Sequence, residues 1–288
     1  MLTGVDAKDN NSQRGSHRRK RNQTKTMRHE TTPLAAAEAA AELLLGARRD
    51  ARPIPTLPEA LRPHSVAAAY AIQDATLRRL GSIGGWKAGP PKPDGTILCA
   101  PIPAALIFDS PAELPAVLAP SPEIEVELAI RLGKDLLPGT GTPDPERVRR
   151  AVTSVHVAAE LVWSRFTDRD RLDPLLPLAD CQSNAAVILG PAIGDADLLD
   201  FEHLTGWLRI DGVPAGEDRG RPSGPTVLRS LAWLAGHAAE RGAPLRAGQV
   251  VITGARIGPL PFRPGTRVEA ALGGGAPLAL RVTSASHA

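Results

Sequence analysis

From Gly81 to the C-terminus the chain is cut into short apolar runs by glycine and proline: AALIF, IEVELAIRL, VAAELVW, AAVILG, GWLRIDG, VVITGA, TRVEAAL and LALRVTS. Runs of this length, closed by turn formers, read as strands. Residues 34 to 80 have a different texture. Leu34, Ala37, Ala41, Leu44 and Leu45 recur at helical spacing, a second helical pattern covers 65 to 80, and Pro53, Pro55 and Pro58 separate the two. Helices are also expected over PDPERVRRAVTSV, with Pro145 in its first turn, and over GPTVLRSLAWLAGHAAERG, where Gly242 follows the last turn. Gly273 to Gly275 read as a hairpin turn. Strands outnumber helices and do not alternate with them, so the fold class is α+β: one domain over 34–288, helical over 34–80 and sheet-rich over 81–288.

The longest strand pattern carries an anomaly. In IEVELAIRL, Ile124, Val126, Leu128 and Ile130 point to one face and Glu125 and Glu127 to the other. Glu123 extends the acidic stripe. Close like charges repel, so this face is either in water or shared with a cation. A second anomaly is Glu160, flanked in VHVAAELVWSRF by Val157, Ala158, Ala159, Leu161, Val162 and Trp163. Such runs are buried on both faces. A carboxylate there needs a partner, because bare burial costs several kcal/mol or forces neutralisation. Arg165 could supply an ion pair; alternatively the three glutamates form an oxygen-rich set of the kind that holds a hard divalent cation.

Charge excludes some partners once it is located. The net charge of +3 arises from residues 1 to 32, which carry eight Lys or Arg against three Asp or Glu, while the rest carries 26 basic and 28 acidic groups. SHRRKRNQTK has the charge of a nucleic-acid patch, but no aromatic residue lies in it to stack on bases. A disordered tail over 1–33 is expected, with Met27 as an alternative start, and no nucleic-acid partner. The richest apolar stretch, LAAAEAAAELLLGA, is interrupted by glutamates, so no membrane partner is expected either. Two cysteines without CxxC spacing suit a cytoplasmic protein. GxSxG, GxxxxGK[ST] and HExxH are absent, and His156 on an apolar run is expected to be a satisfied core residue.

The ordered set GGWKAG, IEVELAIRLGKDL, AAELVWSRFTD and LADCQSNAAVILG resembles the 2-keto-4-pentenoate hydratase branch of the fumarylacetoacetate hydrolase superfamily, from about Ala68 to the C-terminus. The resemblance implies a helical N-terminal part and a β-roll enclosing the site. It also implies Mg²⁺ or Mn²⁺ bound by Glu125, Glu127 and Glu160, a small 2-oxo or 2-enol acid substrate, and a homo-oligomer. By the same resemblance Lys87 holds the substrate carboxylate or takes part in proton transfer, and Asp180 is the next candidate for moving protons or orienting water. Arg165, Ser183 and Thr253 are candidates for the substrate side of the pocket, Arg165 steadying it from behind. Cys181 stands where the family usually has asparagine, and Pro225-Thr226 where it commonly shows His-Pro.

The activity expected is hydration of a 2-hydroxy-2,4-dienoate in catabolism of aromatic compounds. The carbon-carbon hydrolase branch has aspartate at the third ligand position, unlike Glu160. Decarboxylation of a 2-oxo-3-enedioate on the same site is the alternative enzyme activity, and a non-catalytic partner subunit of such an enzyme the alternative class.

Overall fold

The computed structural model describes residues 32–137, 144–195, 204–218, 220 and 222–284. The basic segment, apart from its last two residues, lies outside them. Those two open the first helix: Thr32 caps α1 (Pro33–Arg49) by accepting from Ala35 N, and Pro33 sits at its first position. Ser65 caps α2 (Val66–Leu80) in the same way through Ala68 N. Ala37, Ala40, Ala41 and Leu44 of α1 share one buried core with Ala69, Tyr70 and Ile72 of α2.

The chain then forms β1 (Ile83–Ala88), β2 (Cys99–Pro103), β3 (Ile107–Asp109), β4 (Ala112–Leu114) and β5 (Glu123–Leu132). A short α3 (Pro145–Arg149), β6 (Val152–Val162), α4 (Leu175–Ala179) and β7 (Asn184–Gly194) follow. Next come β8 (Gly206–Ile210), β9 (Val213–Glu217), α5 (Gly224–Glu240), β10 (Val250–Ile252), β11 (Ile257–Pro261), β12 (Arg267–Leu272) and β13 (Leu278–Val282). Among the described residues these strands make an eight-stranded mixed sheet, ordered β2-β1-β10-β5-β6-β7-β3 with β11 also on β5, and a five-stranded sheet, β4-β13-β12-β8-β9. The α+β class holds. No described helix is long and apolar enough to cross a membrane.

Differences from the sequence pattern have local causes. The helix expected over PDPERVRRAVTSV stops at Arg149, because Val152, Thr153 and Val155 are β-branched and Val152 pairs with Leu132. AALIF divides into a 3₁₀ turn over Ala104–Leu106 and β3. GGWKA, which glycine content disguises as a turn, is β1; a Cβ on Gly85 would lie 2.5 Å from Val250 O, so the parallel pairing with β10 needs glycine there. Its Trp86 is buried.

Central to the fold are β5, β6 and β7, antiparallel neighbours. Ile124, Val126, Leu128 and Ile130 are fully buried on one face of β5, as alternation requires. The opposite face carries the glutamates.

Candidate metal centre and active site

Strand register brings the acids together. Glu125 pairs directly with Glu160 across the β5–β6 ladder, and Glu127 is two residues along the same face, opposite Ala158. One carboxylate oxygen from each of Glu125, Glu127 and Glu160 lies within 4.8 Å of the others. An octahedral shell at about 2.1 Å spaces its oxygens about 3 to 4 Å apart, so a small side-chain closure suffices to grip an ion.

Lys87 projects from β1 onto the cluster, with Nζ 2.6 Å from Glu160 Oε2 and 3.6 Å from Glu125 Oε2. Asn184 Nδ2 donates to Glu160 Oε1 at 2.9 Å, and Gly254 N donates to Glu127 Oε2 at 2.5 Å. That last donor comes from the break between β10 and β11, where Thr253 N and Arg256 N bond the β5 carbonyls of Leu128 and Val126 and the intervening chain turns over Glu127. Gly254 has φ +107°, a left-handed value that glycine adopts without strain. Glu127 Oε1 is buried with no hydrogen-bond partner.

An acceptor-only oxygen left bare in this way is costly. Burial, followed by the charges of Glu160 and Glu125, raises the Glu127 carboxyl well above its ordinary 4.5. Glu125 is also raised, by burial against the opposing pull of Lys87. Burial alone would lower Lys87, but Glu160, Glu125 and Glu127 outweigh it and leave its pKa raised. With all three carboxylates ionised, the one ammonium leaves two negative charges for a cation to balance, and Glu127 has a free oxygen. This donor set fits a divalent, oxygen-preferring cation.

The raised Glu127 pKa gives a pH dependence with a definite sign. A carboxyl more basic in the folded than in the unfolded chain contributes stability that is complete below the unfolded value and is lost as pH rises through the folded one. Metal-free protein is therefore expected to melt at progressively lower temperature as pH rises from about 4.5 through the elevated Glu127 range. Thermal denaturation across pH in chelator checks this; a melting point that rises through that window contradicts it.

The remaining candidates lie outside the cluster of three acids. Arg165 and Asp180 are given to each other: Nε and the backbone N of Arg165 donate to Asp180 Oδ1 and Oδ2 at 2.5 and 3.0 Å. Arg165 Nη1 donates to the carbonyls of Trp163 and Asn184, and Nη2 to that of Asp180. Both side chains are buried and bonded to each other, which commits the pair to holding this turn. Ser183 is buried in the turn before β7, and Thr253 Oγ1 donates to Leu128 O. Glu123, at the end of the acidic stripe, is held by Arg169 at 2.5 Å. His156 bonds Gly190 O and Ser154 Oγ and is a satisfied structural residue.

Sequence reasoning missed Asn184 and Gly254. The turn that delivers Asn184 has Cys181, Gln182 and Ser183 at φ +49°, +53° and +61°, three successive left-handed residues without a glycine. Left-handed backbone costs about 1–2 kcal/mol for an ordinary residue, and asparagine bears it better than most. The cysteine departure thus falls where asparagine fits best. Pro225 opens α5, and Ser223 Oγ and Thr226 Oγ1 bond at its start. Ser230 Oγ of that helix donates to Gly89 O, two residues beyond Lys87.

Residues 70–283 match the family model for the fumarylacetoacetate (FAA) hydrolase C-terminal region, and the chain belongs to the fumarylacetoacetate hydrolase family. Within it, the chain is similar to 2-keto-4-pentenoate hydratase of Paraburkholderia xenovorans (strain LB400), with 29% identity over 82% of this chain and 91% of the relative. It is equally similar to 2-keto-4-pentenoate hydratase 3 of Pseudomonas putida, at 29% over the same shares. Its fold resembles 4-oxalocrotonate decarboxylase from Pseudomonas putida G7, a structure complexed with magnesium and adipate, at TM-score 0.75 and 23% identity over 85% of this chain and 97% of that one.

Proposed function

We propose that this chain is a divalent-metal-dependent hydro-lyase that adds water to a 2-hydroxy-2,4-dienoate of the 2-keto-4-pentenoate type, in catabolism of aromatic compounds. The observation that carries the reading is the trio of carboxylates, Glu127 and Glu160 buried and Glu125 partly so, with one lysine over it, in a chain similar over most of its length to named hydratases. Glu125, Glu127 and Glu160 would hold Mg²⁺ or Mn²⁺, and the ion, when bound, would supply Lewis-acid stabilisation of negative charge on the substrate.

The protein's own groups do the rest. Lys87 Nζ stands at the edge of the cluster, where an ammonium meets the substrate carboxylate or the C2 oxygen and favours negative charge there. Hydration of the dienol requires a proton delivered to C5, water oxygen to C4 and a proton to C3, with the enol proton released from O2. The low exposure of Glu127 and Glu160 limits competing water on the far side of the site. Arg165 and Asp180 hold the turn behind it in shape. The enzyme is expected to act in the cytoplasm as a homo-oligomer.

Adding Mg²⁺ or Mn²⁺ to metal-free protein, with 2-hydroxypenta-2,4-dienoate and a 2-hydroxymuconate-type dicarboxylate as substrates, is the deciding assay. Metal-dependent loss of the dienol without CO₂ is the expected result. Faster CO₂ release from the dicarboxylate would replace hydration with decarboxylation, and no metal-dependent turnover of either would end the enzyme reading.

Lys87→Met separates binding from chemistry. Removing the ammonium makes the site more negative but also takes one of the two donors from Glu160, so Mn²⁺ affinity is expected to change by less than about tenfold. Turnover is expected to fall about 10²–10⁴-fold. Calorimetric Mn²⁺ binding with steady-state rates checks both; loss of metal affinity would show that Lys87 supports the ligands and not the substrate.

A further inference from the structure

We infer that Asn184 is a positioning residue for Glu160, and that the first helix reaches the site through it by way of Arg48. The inference rests on the proposed metal site and goes beyond it, since it concerns a residue that lacks a place in the expected ligand set. Glu160 is the one acid of the three with both oxygens engaged by side chains: Lys87 Nζ at Oε2 and Asn184 Nδ2 at Oε1. A carboxylate only accepts, so the nitrogen of the Asn184 amide must face it. Each oxygen keeps a further lone-pair direction for an ion, while two donors on opposite sides fix the torsion of the carboxylate plane.

Asn184 is itself held from behind. Its backbone carbonyl accepts from Arg48 Nη2 at 2.7 Å and from Arg165 Nη1 at 2.9 Å. Arg165 is in turn fixed by Asp180, and Trp163 N, three residues after Glu160, donates to Ser183 O. Two guanidinium groups on one carbonyl, one from the helical part and one from the loop after β6, set the height at which the Asn184 amide meets Glu160. The three left-handed residues before Asn184 place it at the first position of β7, opposite Val162. A side chain with no donor there would leave Glu160 Oε1 without its partner and its plane free to rotate.

The test reads Mn²⁺ affinity directly, as free Mn²⁺ by electron paramagnetic resonance, and the melting temperature of the metal-free protein. For Asn184→Ala the expected result is a rise in the Mn²⁺ dissociation constant of about 10–100-fold in a chain that still folds, the range typical of partners that orient a ligand. Arg48→Met, which touches neither the acids nor Lys87, is expected to raise it by at least about threefold. A merely structural role would lower the metal-free melting temperature and leave affinity unchanged, and that result for Asn184→Ala overturns the inference. If that variant does not fold, unchanged affinity in Arg48→Met overturns it instead. Absence of Mn²⁺ binding by the unchanged chain would refute the metal-site reading and this inference together, whereas normal binding there with no effect in either variant refutes the inference alone.

Discussion

Glu125→Gln is expected to lose metal-dependent turnover by about a thousandfold or more while the fold is retained. An ion that stabilises developing oxyanion charge is worth several kcal/mol, and about 4 kcal/mol corresponds to three decades of rate. Stability should move in the opposite direction without metal. Glu125 stands across the ladder from Glu160 and two residues from Glu127, so neutralising it removes repulsion from the cluster. In chelator the variant should melt at or above the temperature of the unchanged chain. With Mn²⁺ at about a hundred times its dissociation constant the unchanged chain gains about 2.7 kcal/mol and the variant little, so the order of melting reverses. Thermal scans with and without Mn²⁺, run beside the hydration assay, detect that reversal. Undiminished turnover, or the same order in both buffers, would remove Glu125 from the site.

The largest stability loss is expected from Arg165→Met. The guanidinium holds the Asp180 carboxylate and the carbonyls of Trp163, Asp180 and Asn184, and all of this is buried. Breaking a buried pair by deleting one partner leaves an uncompensated charge and costs about 3–5 kcal/mol. Arg48 lies near and burial, then Arg165, pulls its pKa down to about 10, so it stays charged but is already committed to Asn184 O. Adding Asp180→Asn to Arg165→Met should recover part of the loss, because the stranded negative charge disappears. Urea unfolding of the two single variants and the double variant gives the coupling energy. Strict additivity would mean that the two residues do not act as a pair.

The acids were legible in the sequence because each breaks a local rule. Glu125 and Glu127 double a charge on one strand face, and Glu160 interrupts an apolar run; in both cases the cost of the arrangement pointed to a partner. Whether that partner was Arg165 or an ion could not be read, since the answer depends on which residue of β6 faces Glu125, a long-range register with no local signature. Arg165 goes to Asp180 instead. Lys87 was found through the motif around it, not through its strand, whose glycines suit a close approach to β10 that only the folded sheet reveals. Asn184 lies in one of the resembling motifs, LADCQSNAAVILG, but nothing local marks its role: an asparagine at a strand start is ordinary, and its contact to Glu160 joins residues 24 positions apart. The helix-to-strand switch at Val152 was visible in its β-branched residues, but the preceding proline and acidic residue read more strongly as a helix start.

The pairing of Glu125 with Glu160 also sets what kinds of length change the gene can absorb. Side chains alternate along β6, so deleting one residue between its start and Glu160 would swing that carboxylate to the opposite side of the sheet, where Ile124 and Val126 are packed. Extra residues in the connection between β5 and β6 leave the facing partners untouched and add only a slowly growing closure entropy. Descendants of this chain can therefore vary in the length of that connection away from its buried Leu136 and Val148, while the count of residues inside the two strands is held fixed by the chemistry.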